Sequence, residues 1–221
     1  MNHIFVQVRY NSARLRGKVL KKIDKKPLLQ FLINRLQKIK KSRIIVLTST
    51  IKSDDRIVKL CKENSIEFFR GSHLNVYQRY CDAINYYKPT FFVRICGDSP
   101  LQNKTIITKM IDLYKKKHFN IISNVFPRSF PIGMSVEIIQ SQFFLQKKKF
   151  IINKNFKEHV TSYFYKKERK NIFNFKSKKN YSKIDLSINT KNDYEKIKKF
   201  IENNEKKINN FDFIIKYFKK K

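Results

Sequence analysis

The stretch "HIFVQVRYNSARLRGKVL", residues 3–20, decides how the rest of the chain is read. Its first six residues form a short apolar run that turns polar at the end, as a buried strand does. Behind them stand Arg9, Arg14, Arg16 and Lys18, with one glycine, Gly17, among them. Four cations directly after a first buried strand read in two ways. They are one more solvated patch on a basic protein, or they line a pocket for a polyanion.

Outward from this loop, strands and helices alternate. "PLLQFLINRLQKI" (27–39) sets Leu29, Leu32, Ile33, Leu36 and Ile39 on one helical face, behind a proline suited to a first turn. Strand-like runs follow at 43–49, 66–69, 91–96 and 119–125, and helical ones at 53–64, 75–87 and 103–117. The helix at 53–64 opens on Ser53, Asp54 and Asp55, residues that suit a cap and a positive helix end. Four consecutive βα units predict an α/β protein, a mostly parallel sheet with helices on both faces. Past Phe126 the texture changes. "FPRSFPIG" (126–133) reads as a loop, 134–139, 172–176 and 183–189 as strands, and 141–150, 157–167, 192–204 and 210–220 as helices. With no internal repeat and no long linker, residues 1–221 read as one domain with an irregular second half.

Composition narrows the function classes. The 221 residues carry 50 Lys and Arg against 17 Asp and Glu, a formal charge of +33. The excess is mostly lysine, and it comes with abundant Ile, Asn, Phe and Tyr, all encoded by AT-rich codons. The lysines are scattered rather than gathered beside exposed aromatics, so a solvated surface is expected and a nucleic-acid partner is not. The opening "MNHIFVQVRY" turns polar too soon for a secretory leader, and no apolar run approaches a membrane span. Three cysteines without metal-type spacing predict reduced thiols in a cytoplasmic protein.

In an open α/β sheet, ligands bind beyond the carboxyl ends of the strands. After the first strand come Arg9, Ser12, Arg14, Gly17 and Lys18; after the third come Arg70 and Gly71; after the fourth come Gly97 and Asp98; after the fifth comes Asn124. Guanidinium groups grip phosphate oxygens in pairs, a lysine adds a point charge, and a glycine lets backbone approach. The G-x-x-x-x-G-K-[ST] phosphate loop is absent. Asp98 alone would be a turn-forming residue ahead of the helix near Asn103. Facing a cationic loop, it is placed to hold Mg²⁺ on nucleotide phosphates.

Six segments together resemble the spore-coat-polysaccharide-type cytidylyltransferases, relatives of the CMP-ketodeoxyoctonate and CMP-sialic acid synthetases. "QVRYNSARLRGKVL" is similar to Q-A-R-x-x-S-x-R-L-P-G-K-V-L, and "FFRGSHLNVYQRYCDA" to R-G-S-x-x-x-V-L-x-R-Y-x-x-A. "VRICGDSPL" resembles V-R-I-T-G-D-C-P-L, and "SNVFPRSFPIGMSVEII" resembles S-N-x-x-x-R-x-Y-P-x-G-L-D-V-E. "KEHVTSYFY" is similar to R-E-H-V-T-P-Y, and "LSINTKNDYEKIKKF" to L-x-x-D-T-P-E-D-Y. The resemblance implies a three-layer α/β/α nucleotidyltransferase fold and transfer of CMP from CTP to a sugar, typically an acidic keto-sugar, with release of pyrophosphate.

It also implies roles. Arg14, Lys18 and Asp98 are the expected catalytic groups, with Gln7, Arg9, Ser12, Gly17, Arg70, Gly71, Arg79 and Gly97 on the nucleotide. Asn124, Glu137, Glu158 and His159 are expected at the sugar, Mg²⁺ on Asp98 and Asn189, and a homodimer as the assembly, with the 126–140 segment as the place to look for its interface. Three positions depart from the pattern: Arg16 replaces the loop proline, Ser135 an acid, and Asn189 the second metal-binding aspartate. An amide supplies a carbonyl but no charge, so metal affinity is expected to fall. A family member that binds nucleotide with impaired turnover is the alternative reading.

Overall fold

The computed structural model describes residues 1–117 and 119–219. Along β1 (Asn2–Gln7), Ile4 and Val6 enter one apolar cluster and Phe5 enters another. The period of two puts those clusters on opposite faces of the sheet. β4 (Ser42–Ser49) repeats the division with Ile44 and Val46 against Ile45 and Leu47. A strand apolar on both faces has to be covered on both, and the helices supply the cover.

The chain order is β1, a short hairpin of β2 (Lys22–Ile23) and β3 (Lys26–Pro27), α1 (Leu28–Leu36), β4, α2 (Asp55–Glu63), β5 (Glu67–Gly71) and α3 (Val76–Tyr87). Then come β6 (Phe91–Cys96), α4 (Lys104–Lys117), β7 (Ile121–Ser123), β8 (Glu137–Gln140), α5 (Ser141–Gln146), α6 (Lys154–Glu158) and α7 (Ser162–Lys167). β9 (Ile172–Asn174), α8 (Lys191–Asn203) and α9 (Phe211–Lys219) end the described chain. Among the described residues one sheet has seven strands in the order β5-β4-β1-β6-β8-β7-β9, with β8 alone antiparallel to its neighbours. α1, α2, α4, α8 and α9 pack on the Ile4 face, and α3, α5 and α7 on the Phe5 face. This is the three-layer, mostly parallel architecture expected. No described helix is long and apolar enough to cross a membrane.

Local chemistry fixes the helix starts. The Asn75 side chain accepts from the Gln78 amide at 3.0 Å and caps α3, and Thr190 with Asp193 forms a reciprocal capping box on α8. At 53–64, however, no side chain caps the helix. A single-turn 3-10 helix covers Lys52–Asp54, and Asp54 turns inward instead.

The second half departs furthest from expectation. The segment 183–189, expected as a strand, makes one isolated parallel bridge between Ile132 and Asp185. It alternates like a strand because Ile184, Leu186 and Ile188 are buried, yet it lies on loops: Leu186 N–H donates to the Ile132 carbonyl and Ile188 N–H to that of Asp98, both at 2.9 Å. The expected helix at 157–167 is broken at 159–161, where His159 accepts from the Ser162 amide and α6 gives way to α7. At 141–150, α5 stops at Gln146 and a 3-10 turn takes Lys148–Phe150. The helix expected at 210–220 is described from Phe211 to Lys219; its Lys220 lies outside the described residues.

Candidate active site

β1 ends at Gln7, and the chain turns over the sheet's carboxyl edge into the basic loop. Two anchors hold that loop. The Tyr10 amide donates to Asp54 Oδ1 at 2.8 Å, and the Gly17 amide donates to the Tyr10 carbonyl at 2.8 Å. Gly17 has φ +69°, and a Cβ there would stand 2.9 Å from the Tyr10 ring, so the loop closes only on glycine. Asp54 is fully buried and also accepts from Thr48 Oγ1 and from Ser49 N–H and Oγ at the end of β4. Burial alone would raise its pKa; these hydrogen bonds outweigh it and hold the carboxyl below the usual value. Arg16 folds back outside the cleft, 5.7 Å from the centroid of the Tyr10 ring, which Arg56 also approaches at 4.8 Å. The proline the family carries at that position is thus replaced by a cation stacked on the loop's own tyrosine.

The cleft formed beneath the loop has a volume of about 190 Å³ and is lined by Gln7, Arg9, Ser12, Arg14, Lys18, Arg79, Gly97, Asp98, Glu158, His159 and Asn189, with Val8, Val19, His73, Val76 and Cys96 completing the wall. Eleven of the residues singled out from sequence therefore converge, drawn from β1, the loop, α3, the end of β6, α6 and the extended segment before α8. Lys18 is central. Its side chain, 9% exposed, sets Nζ 2.8 Å from Asp98 Oδ2 and 2.6 Å from the Ile188 carbonyl, while the Asp98 side chain is 28% exposed. Asp98 Oδ1 accepts from Ser99 Oγ at 3.1 Å. Arg14 Nη2 donates to Asn189 Oδ1 at 2.9 Å, and Arg9 reaches across the mouth to Glu158 at 3.2 Å.

Four lining cations against two carboxylates leave the cleft positive. Arg79, 2% exposed, spends Nε and Nη2 on the Ser72 carbonyl at 3.0 and 2.7 Å, and burial lowers its pKa. Gln7 Oε1 accepts from Arg94 and Tyr80 at the cleft floor, and its amide N–H groups meet no acceptor among the described residues. Burial raises the pKa of Cys96, so the wall thiol is a neutral surface. Of the five wall residues not expected from sequence, two are polar, His73 and Cys96. His73 lies two residues past Gly71 in the loop that ends β5, and its position relative to that strand end was the available signal.

Five expected residues do not line the cleft. Arg70 clamps β4 to α2: Nε donates to the Ser49 carbonyl at 2.9 Å, and Nη2 meets Ile51 O and Asp55. Gly71 is needed for space, since a Cβ would fall 2.6 Å from Arg79 Cγ. Gly17 serves the loop turn. Asn124, fully buried, bonds the Met134 carbonyl and the Val136 amide, each at 2.8 Å, and so extends the sheet edge through a side chain. Glu137, 2% exposed, accepts from Arg94 and from the Tyr165 hydroxyl, and Tyr165 contacts Ser123 at 2.8 Å. Through Arg94, which also donates to Gln7, Glu137 backs the cleft floor.

The sequence matches the cytidylyltransferase family over residues 3–215. An uncharacterized protein of Methanocaldococcus jannaschii is 35% identical over 169 residues, 76% of this chain and 68% of that protein. The spore coat polysaccharide biosynthesis protein SpsF of Bacillus subtilis is 28% identical over 210 residues, 90% of this chain and 86% of that one. A solved cytidylyltransferase of Leptospira borgpetersenii superposes with a TM-score of 0.85 at 29% identity, covering 95% of this chain and 98% of that one. A positive cleft over the carboxyl edge of a mostly parallel sheet, carried on segments that match from end to end, places this chain in the cytidylyltransferase family.

Proposed function

We propose that the cleft transfers CMP from CTP to a hydroxyl of an acidic keto-sugar, releases pyrophosphate, and supplies surface-polysaccharide or glycan synthesis in the cytoplasm. The observation that carries the reading is the convergence of Arg9, Arg14, Lys18 and Arg79 with Asp98 in one cleft. A displacement at phosphorus asks the protein for position and charge more than for covalent chemistry. Arg9 and Arg14 hold only a glutamate and an amide, partners that a triphosphate outcompetes as a polyanion. Lys18 is pre-positioned by Asp98 and the Ile188 carbonyl, so its ammonium loses little freedom when phosphate oxygens arrive. Gln7 and Ser12 offer neutral donors. Glu158, His159 and the wall at α6 lie on the side left for the acceptor, and the surplus of positive charge favours a sugar that bears a carboxylate.

The described residues contain no cluster of three or more His, Cys, Asp and Glu able to hold a metal alone. Mg²⁺ in nucleotide sites is held by one or two carboxylates plus substrate phosphates, and Asp98 with a triphosphate meets that requirement. Bound there, the ion would neutralise phosphate charge. Asn189 would add a neutral oxygen, the one that accepts from Arg14. The assembly proposed is a homodimer.

Incubation with CTP, Mg²⁺ and a panel of acidic keto-sugars should release pyrophosphate, and Asp98→Ala should slow that release strongly. An unchanged rate in that variant would overturn the assignment. CTP binding by calorimetry without turnover on any sugar would favour the impaired-enzyme reading, to which Asn189 points.

A further inference from the structure

Behind the turn that presents Asp98 lies a second, smaller pocket of about 160 Å³, lined by Arg35, Lys38, Gln102, Lys104, Thr105 and Asn209. Arg35, on α1, is 8% exposed and meets no carboxylate among the described residues. Its Nη2 donates to the Gln102 and Ile208 carbonyls at 2.9 and 3.2 Å. Nε is buried without a partner, and Nη1 has no acceptor among the described residues. Gln102 Oε1, also buried, is likewise unpaired. Burial without a counter-ion pushes the Arg35 pKa down to about 10. A buried guanidinium with unmet donors and no opposite charge is an incomplete site rather than a finished structural bridge.

The rest of the lining supplies what an anion needs. Lys38 and Lys104 are exposed, pair with no acid among the described residues, and flank the opening. α4, fourteen residues long, begins here. Asn103 Oδ1 takes the Ile106 amide at 3.1 Å and the Asn103 carbonyl takes that of Ile107, so the N–H groups of Lys104 and Thr105 remain open. Every ionic group lining the pocket is positive.

We propose that this pocket binds a small phosphate anion, gripped by Arg35, Lys38, Lys104 and the first turn of α4. The site shares the turn from Gly97 to Asn103 with the cleft: Asp98 stands at one end, and Gln102, which also donates to the Ser135 carbonyl at 3.1 Å, stands at the other. An occupant therefore braces the segment that carries Asp98. The binding itself does not depend on the reaction proposed above; only pyrophosphate as its source does.

The test is a calorimetric titration of inorganic phosphate into the full chain at constant ionic strength. Two classes of site are expected. Lys38→Ala/Lys104→Ala should weaken one at least tenfold with CTP affinity and Tm unchanged, and Arg14→Ala should remove the other. Arg35→Met should also abolish the pocket site, and the double lysine variant carries the test where that substitution fails to fold. Phosphate binding unchanged in the double lysine variant, or wholly lost in Arg14→Ala, would overturn the proposal. Pyrophosphate binding the pocket more tightly than orthophosphate would support it with the product as source; the reverse order would support it with free phosphate as source.

Discussion

Two ion pairs sit a few residues apart on the same strand end, and their surroundings set them to opposite uses. Lys18–Asp98 joins side chains that are 9% and 28% exposed, and the carboxylate still opens to the cleft. Arg94–Glu137 joins side chains that are 14% and 3% exposed, and it is closed off by Gln7, Tyr80 and Tyr165. Burial disfavours the Arg94 charge, yet the ion pair and hydrogen bond with Glu137 help to outweigh it, and its pKa lies well above the usual value. The first pair can exchange a partner for a ligand. The second can only be kept or broken. Both acids were read from sequence as functional, and exposure separates them.

The largest effect should come from breaking the closed pair. Glu137→Ala strands a buried guanidinium, which costs about 3–5 kcal/mol. Urea unfolding monitored by circular dichroism should show the midpoint fall accordingly. If stability held while turnover vanished, Glu137 would belong to the cleft after all. Asp98→Ala should show the reverse pattern. It removes a group open to the ligand, so kcat/KM should drop by about 10²–10³, or roughly 3–4 kcal/mol in the barrier. Its unfolding midpoint should stay near that of the parent, since Lys18 retains the Ile188 carbonyl. Equal losses of stability and rate in both variants would erase the contrast.

The contrast also shows what the sequence could carry. Strand runs with apolar residues at every position state that both faces are covered, and this made the three layers legible from residues 3–117. Residues directly behind strand ends were legible as cleft residues wherever the strand is parallel and central, as for Arg9, Lys18 and Asp98. The same rule failed at Arg70, whose guanidinium turns back onto β4 and α2, and at Asn124, beside an antiparallel strand that uses its amide as a backbone substitute. Side-chain direction in those places depends on long-range partners that no local pattern encodes. The extended run at 183–189 misled for a related reason. Alternate burial records contact with a core and says nothing about whether the backbone pairs with a strand or a loop.

A third acid sharpens the comparison with a smaller effect. Asp54 is as buried as Glu137 but is met by hydrogen-bond donors instead of a cation. Asp54→Asn should cost about 1–3 kcal/mol at neutral pH through lost charge-assisted bonds. The folded-state pKa lies below the ordinary 3.8, so this contribution is complete above that value and is lost as pH falls through the lower folded pKa. Stability curves of variant and parent should therefore converge at low pH; a constant gap would show that packing, not charge, is responsible. The variant should also raise KM for CTP, because Asp54 anchors Tyr10 and with it the arginine loop.

The smallest of these effects bears on the open side of the comparison. Asn189 shares the cleft with Asp98 but brings no charge, and its Oδ1 is held by Arg14 at 2.9 Å. Asn189→Asp would place a second carboxylate there, at the cost of a stronger pair with Arg14. A metal bound there would gain a charged oxygen, while a bound triphosphate would lose part of the arginine. Divalent ions favour added carboxylate charge, so Mn²⁺ should bind the CTP complex about tenfold more tightly, roughly 1.4 kcal/mol. Calorimetry reads that gain without requiring turnover, and CTP affinity without metal should fall in the same variant. An increase in metal affinity with no decrease in metal-free CTP affinity would mean that Arg14 does not grip phosphate. No increase at all would mean that the metal, when bound, never meets position 189 and rests on Asp98 and the nucleotide.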